Sequence, residues 1–332
     1  MKVNFKITTK CPANCKCCNE RLENFRKMSK NNKSLSELCG KLVEIFSDSK
    51  EKCLSITGGE PTIIKLLPKY IRKLSKEGIN IGIDTNGWNV TEKWLKEMEY
   101  AGLKYILFSV YSMNESVFNQ LRGGSNKQLY FRMKKAWNTL KKYKKNGGNI
   151  EVRVQIVLMK QNYRELPILL RAAIDAQFNT ISTAYYISRN PNKEILMSYE
   201  DINDFKCNIE PEIIAIIRKM NISERLKNIN VEKVKKFFEF NGVTEDEIAN
   251  GQYRNNVNCG ESNRIALYPN GDVVPCLGFD YLMNSKYVMN VFKHNNMKKI
   301  KNLEFGDFWL KEHKMCSRCS SGYQVWLNLS EH

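Results

Sequence analysis

An α/β fold is what this 332-residue sequence predicts: a partial (β/α)6 barrel of the TIM type over residues 1–190, with a small α+β domain behind it. Three observations carry the prediction. Short strand-like runs alternate with amphipathic helical stretches through residues 1–190. Residues suited to ligand binding fall at or just after the ends of those runs. A second set of cysteines gathers near the carboxyl end, around an Asn270-Gly271 turn.

Each element has a local reason. Val3–Thr8 alternates apolar and polar residues with period two and reads as the first strand. Leu35–Ser47 spaces its apolar residues at i, i+3 and i+4. The same spacing recurs in Ile63–Glu77, Thr91–Tyr100, Leu129–Lys145 and Arg164–Ala176. Between these helices lie the strands Cys53–Thr57, Ile79–Asp84, Tyr105–Tyr111, Ile150–Leu158 and Thr180–Ile187. Repeated βα units build a parallel sheet with ligands at the carboxyl ends of its strands. Residues 191–258 are polar and helical, with Lys227–Phe240 the best amphipathic run, and read as a bridge along the open side of the barrel. Asn270-Gly271 between two apolar runs is a hairpin signal inside the last region, 259–332.

Cys11, Cys15 and Cys18 stand in a C-x3-C-x2-C spacing directly after the first strand. Three thiolates hold three irons of a four-iron cube and leave the fourth open, whereas a closed cluster takes four Cys. Cys15 and Cys18 also suit one half of a zinc site. A disulfide framework does not fit. The eleven cysteines are odd in number and cluster toward the two ends, and the first residues carry no apolar secretory segment. A reducing compartment, the cytoplasm, is the expectation. Gly58-Gly59-Glu60-Pro61 follows the second strand at once, and two glycines let backbone approach a ligand closely. Thr85 and Ser109 take the same position on the third and fourth strands.

The cysteine loop, with Gly-Gly-Glu at the end of the next strand, closely resembles the radical S-adenosylmethionine (SAM) superfamily. The resemblance implies that Cys11, Cys15 and Cys18 hold a 4Fe-4S cluster whose open iron is chelated by the amino group and carboxylate of SAM. It implies reductive cleavage of SAM to a 5′-deoxyadenosyl radical that abstracts hydrogen from a substrate. SAM contacts are implied for Gly58, Gly59 and Glu60, the last receiving the methionine ammonium, and for Thr85, Ser109 and Arg122. Arg122 would pair the methionine carboxylate, a task that suits a planar bidentate fork. Its alternative is a solvated arginine closing a helix. The sequence departs from the family at Cys17, where relatives carry an aromatic residue near the adenine.

Cys259 and Cys276 flank the hairpin, and Cys316-Ser-Arg-Cys319 follows. Four thiolates serve zinc and iron–sulfur clusters alike. Beside a SAM barrel the set resembles the twitch domain, the one-cluster relative of the SPASM domain. That implies a second, auxiliary 4Fe-4S cluster on Cys259, Cys276, Cys316 and Cys319 that passes electrons. An external donor such as flavodoxin or ferredoxin is implied with it.

The formal net charge is +18, with lysines spread along the chain apart from runs at Lys141–Lys145 and Lys298–Lys301. A nucleic-acid surface would show a basic stripe with aromatics, so nucleic acid is not the expected partner. No apolar run is long enough to span a membrane. A solvated surface accounts for the charge, and an acidic peptide substrate is its functional counterpart. Cys39 and Cys53 read as small buried apolar residues. Cys207 lies in the polar bridge, where it is either incidental or a hydrogen donor to a substrate radical. Radical SAM peptide epimerases resemble that layout. The expected function is hydrogen abstraction from a ribosomally synthesised peptide, leading to epimerisation or crosslinking. The alternatives are a small-molecule dehydrogenase of a sugar or aminocyclitol and a non-catalytic iron–sulfur scaffold, against which the intact Gly58-Gly59-Glu60 argues.

Overall fold

The structure is a computed structural model, and it describes residues 1–18, 32–123, 126, 128–186, 192–221, 249, 264–274, 289–293 and 325–328. The strands among these residues are β1 Lys2–Thr8, β2 Cys53–Gly58, β3 Asn80–Thr85, β4 Tyr105–Ser109, β5 Glu151–Leu158, β6 Thr180–Tyr185, β7 Arg264–Leu267, β8 Asp272–Val274, β9 Met289–Asn290 and β10 Val325–Asn328. The helices are α1 Leu35–Phe46, α2 Leu67–Ser75, α3 Glu92–Ala101, α4 Glu115–Phe118, α5 Gln128–Lys145, α6 Leu166–Asp175, α7 Tyr199–Asp204 and α8 Glu210–Asn221. The chain divides into two compact units, one of residues 1–12, 18–106 and 254–322, the other of 13–17, 107–253 and 323–332.

In the first unit β1 pairs in parallel with β2 on one side and β7 on the other, and β2 pairs in parallel with β3. Register sets Val3 beside Leu54 and Phe5 beside Ile56, and then Leu54 and Ile56 beside Ile81 and Ile83. Successive side chains of a strand point to opposite faces. These six apolar residues therefore share one face, and all are buried. Asn4, Lys6, Ser55 and Thr57 share the other. Lys6 is buried there, with its ammonium 4.7 Å from the centre of the Tyr268 ring, a cation–π contact. Ser34 and Glu37 form a reciprocal capping box at the start of α1, which buries Leu38, Leu42 and Ile45. Thr91 caps α3, which stops at Gly102 in the left-handed conformation.

The second helix starts later than its periodicity predicts. Pro61–Ile63 forms one 3₁₀ turn, Ile64 is extended, and α2 begins only at Leu67. Pro68 has no N–H to donate to the Ile64 carbonyl, so it belongs in a first helical turn and the helix forms beyond that point.

In the second unit β5 and β6 pair in parallel, and β10 pairs antiparallel with β6. Val152, Val154, Ile156 and Leu158 of β5 are buried. Trp137 of α5 meets Phe178 edge-on at 4.9 Å and Phe108 at 6.3 Å, geometries that suit aromatic quadrupoles. Part of the segment expected as a polar bridge joins the helical layer. α8 packs against α6, with Arg171 paired to Glu212 at 3.0 Å. Ile202 of α7, Phe205 and Ile209 of the turn that follows, and Ile213 and Ile217 of α8 form one buried stripe along this segment. The Tyr163 hydroxyl, after β5, donates to Asp204 at 2.7 Å.

The hairpin at Asn270-Gly271 forms as expected, β7 pairing antiparallel with β8 and Gly271 taking φ +88°. Two later strands also join the sheets: β7 of this hairpin extends the sheet of the first unit, and β10, far beyond it, extends that of the second. Unpaired strand edges recruit such short segments because their N–H and C=O groups need partners. Cys259, Cys276, Cys316, Cys319 and Lys227–Phe240 lie outside the described residues.

Where β2 ends, the chain runs tightly past the segment that follows β1. Gly59 N–H donates to the Thr8 carbonyl at 2.6 Å and Glu60 N–H to the Lys10 carbonyl at 2.8 Å. Gly58 has φ +119°, and a Cβ on Gly58 or Gly59 would overlap the Thr8 or Lys10 carbonyl oxygen. Gly59→Ala is expected to cost about 1–3 kcal/mol of stability. Gly40→Ala, in α1 with open space around it, is expected to add about 0.5–1 kcal/mol. Urea unfolding of both variants checks this, and a neutral Gly59→Ala would contradict the close approach.

Candidate functional site

Glu60 is the buried centre of the first unit's candidate residues, 1% exposed. Its Oε1 accepts from Thr62 N–H at 3.0 Å, the Thr62 hydroxyl at 2.7 Å and the Thr85 hydroxyl at 2.6 Å. Its Oε2 accepts from Asn86 N–H at 2.7 Å. All four donors are neutral, and among the described residues Glu60 forms no ion pair. Oε1 takes three of these four hydrogen bonds and Oε2 one, so among the described residues Oε2 is the less occupied oxygen. The sequence puts Glu60 there because β2 stops at Gly58 and Glu60 caps the 3₁₀ turn Pro61–Ile63, whose Thr62 N–H turns back to it.

The end of β3 completes this half. Thr85 Oγ1 also accepts Gly87 N–H at 3.0 Å. Asn86 accepts Trp88 N–H on Oδ1 at 3.0 Å and holds Nδ2 3.7 Å from Cys11 Sγ. The Cys11 thiol is exposed and Cys18 is half-buried. Gly58, Gly59, Glu60, Thr85 and Cys11 thus lie near one another in the first unit. Thr62 and Asn86 were not singled out by sequence reasoning, although Asn86 directly follows Thr85.

The second unit gathers Cys15, Cys17, Tyr111 and Arg122. Asn14 N–H donates to the Arg122 carbonyl at 3.1 Å and Lys16 N–H to the Leu121 carbonyl at 2.8 Å, while Lys16 pairs with Glu194 at 2.9 Å. Arg122 sits in a π turn, Asn119–Gly123, a distortion common at functional sites. It is only 3% exposed, with its guanidinium 4.4 Å from the centre of the Tyr111 ring and 5.9 Å from that of Phe118. The solvated-arginine alternative is therefore not what the structure shows.

The Cys17 thiol donates to the Tyr111 hydroxyl at 3.2 Å. Burial first, and then the neighbouring Cys15 charge, push that thiol up to about 12, and the Tyr111 and Arg122 contacts offset this only in part. The Tyr111 phenol is likewise held well above its usual range, first by burial and then by Cys17 and Cys15. Buried Asn162 anchors Tyr111 by donating to its carbonyl and to that of Val157, both at 2.9 Å. Neither Tyr111 nor Asn162 carried a sequence signal of this role. Ser109 ends β4 half-buried. Cys207 lies in a second π turn, Phe205–Ile209, with an exposed thiol 3.7 Å from Asn203 Oδ1.

The sequence profile of the Radical SAM superfamily matches residues 5–173, half of the chain. The chain belongs to the radical SAM superfamily. Membership makes it a radical SAM enzyme and implies SAM and a 4Fe-4S cluster as cofactors. The chain is 27% identical over 255 residues to the GTP 3',8-cyclase of Thermodesulfovibrio yellowstonii, covering 75% of this chain and 73% of that one. It is 22% identical over 267 residues to the tungsten-containing aldehyde ferredoxin oxidoreductase cofactor-modifying protein of Pyrococcus furiosus. That match covers 76% of this chain and 65% of the relative, less than two thirds of its length. Streptococcus suis SuiB bound to S-adenosylmethionine aligns with a TM-score of 0.67 at 16% identity, over 93% of this chain and 67% of SuiB. SuiB bound to the precursor peptide SuiA gives 0.62 at 15% identity, over 91% and 66%. These likenesses show the fold, the radical SAM α/β partial barrel. Among the described residues no helix is long and apolar enough to cross a membrane, and no three His, Cys, Asp or Glu gather as ligands of a single ion.

Proposed function

We propose that the protein uses SAM to take a hydrogen atom from a peptide substrate. The observation that carries the SAM reading is Glu60, a buried carboxylate held only by neutral donors among the described residues, with Oε2 its less occupied oxygen. A buried charge without a partner is costly, and the methionine ammonium supplies the missing cation. Thr62 and Thr85 fix the carboxylate, and Gly58 and Gly59 let it lie against the segment leading to Cys11. Arg122 offers a planar fork to the methionine carboxylate, and Ser109 adds a polar contact at the end of β4.

Cys11, Cys15 and Cys18 form no disulfide and fit a 4Fe-4S cluster, whose thiolates each bind a separate iron. Cys17 stays outside the ligand set, because its thiol donates to the Tyr111 hydroxyl and Cys11, Cys15 and Cys18 already meet the C-x3-C-x2-C spacing. When bound, the cluster and SAM supply a 5′-deoxyadenosyl radical, with the electron coming from an external donor such as flavodoxin or ferredoxin in the cytoplasm. Cys259, Cys276, Cys316 and Cys319, in the region 259–332, form an auxiliary 4Fe-4S cluster.

A peptide substrate is supported by the net charge of +18, which suits an acidic leader, and by the exposed thiol of Cys207. In this reading Cys207 gives a hydrogen atom to the substrate carbon radical. The thiyl it becomes takes one electron from the external donor and one proton from water. A small-molecule substrate is the second reading, favoured by the 27% identity to a GTP 3',8-cyclase across 75% of the chain.

With dithionite as reductant, the anaerobically reconstituted protein is expected to release 5′-deoxyadenosine. Glu60→Ala should weaken SAM binding by about 2–5 kcal/mol, measured by calorimetry. Unchanged affinity would remove Glu60 from the site. Iron analysis should give about eight irons per chain, falling to about four when Cys11, Cys15 and Cys18 are all changed to Ala. Four irons and one zinc would instead exclude the auxiliary cluster. In deuterated water the peptide product should gain one deuterium, and Cys207→Ala should still form 5′-deoxyadenosine but no epimer. A product two hydrogens lighter would contradict epimerisation and favour oxidation or crosslinking.

A further inference from the structure

Asn86 touches both parts of the first unit's candidate site. Its backbone N–H donates to Glu60 Oε2 at 2.7 Å, and its side chain reaches Cys11 Sγ at 3.7 Å. The amide orientation is set by chemistry. Its oxygen accepts Trp88 N–H at 3.0 Å, so the nitrogen faces the sulfur. The residue is 9% exposed, which limits competition from water. The turn alone needs only a side-chain oxygen, which Asp supplies equally well. What Asn adds is a neutral N–H donor, and that donor is aimed at a thiol.

We propose that Asn86 is a positioning residue that sets the reduction potential of the SAM-binding cluster through this N–H···S hydrogen bond to Cys11. The inference rests on the reading of Cys11 as a cluster ligand. The positive end of the N–H dipole lies at the sulfur and stabilises the reduced cluster, which carries one more negative charge, more than the oxidised one. Hydrogen bonds to the sulfurs are among the factors that set iron–sulfur potentials. The same residue holds Glu60 through its backbone, so the carboxylate and the sulfur are placed by one rigid turn.

The test is a redox titration of the reconstituted full chain, with dithionite, mediator dyes and no SAM. It follows the electron paramagnetic resonance signal that disappears in Cys11→Ala. Asn86→Asp keeps an acceptor for Trp88 N–H but has no neutral donor for the sulfur, and Asn86→Ala removes both groups without adding charge. At the potential where the wild type is half reduced, Asn86→Ala should show about a tenfold lower ratio of reduced to oxidised cluster. That corresponds to about 59 mV for a one-electron couple. Asn86→Asp should shift at least as far in the same direction. A merely structural role would lower the unfolding midpoint of the cluster-free protein and leave the potential unmoved. Wild-type potentials in both variants overturn the inference, as does failure of both to hold a cluster while folded. A wild-type protein that takes up no iron at Cys11, Cys15 and Cys18 overturns the cluster reading and this inference with it.

Discussion

A buried carboxylate held only by neutral donors among the described residues constrains the first unit. Burying Glu60 requires donors from segments far apart in sequence: Thr62 just beyond it, and Thr85 and Asn86 at the end of β3. Its own N–H is tied to Lys10 after β1. Three strand ends must converge to satisfy these groups, and Gly58-Gly59 makes the convergence sterically possible. Neutral donors hold the carboxylate in place without cancelling its charge, and a buried charge favours a cationic partner.

The one clear mismatch between periodicity and structure falls here. Apolar spacing predicts a helix from Ile63, yet α2 waits until Leu67. Had Thr62 entered a regular helix, its N–H would still be among the orphan donors of the first turn. The 3₁₀ turn at Pro61–Ile63 aims that N–H back at Glu60. The broken helix start lies beside the carboxylate; local rules tend to break where function imposes a second requirement.

Much of the barrel was legible because each of its strands is a short alternating or apolar run followed by an amphipathic helix. The cysteine loop and Gly58-Gly59-Glu60 were legible because each motif is contiguous in sequence. What escaped depends on tertiary contacts. Arg122 looks like a surface residue until the strap from Asn14 and Lys16 and the stack on Tyr111 bury it. Ile202, Phe205, Ile209, Ile213 and Ile217 recur every three or four residues, but the charged residues between them made the segment read as polar. The strands β7 and β10 hold four residues each, too few for a pattern to reveal which sheet edge they join. At Cys17, where relatives of the family carry an aromatic residue, the thiol meets the hydroxyl of Tyr111 instead. No pattern around position 17 announces that contact.

The central claim is that Glu60 receives the ammonium of SAM. A crystal structure of the anaerobically reconstituted protein with SAM tests it most directly. The predicted result is a methionine nitrogen within about 2.7–3.2 Å of Glu60 Oε2, with the four present donors still in place. A methionine nitrogen bound elsewhere, with Glu60 contacting only those four donors, would contradict it.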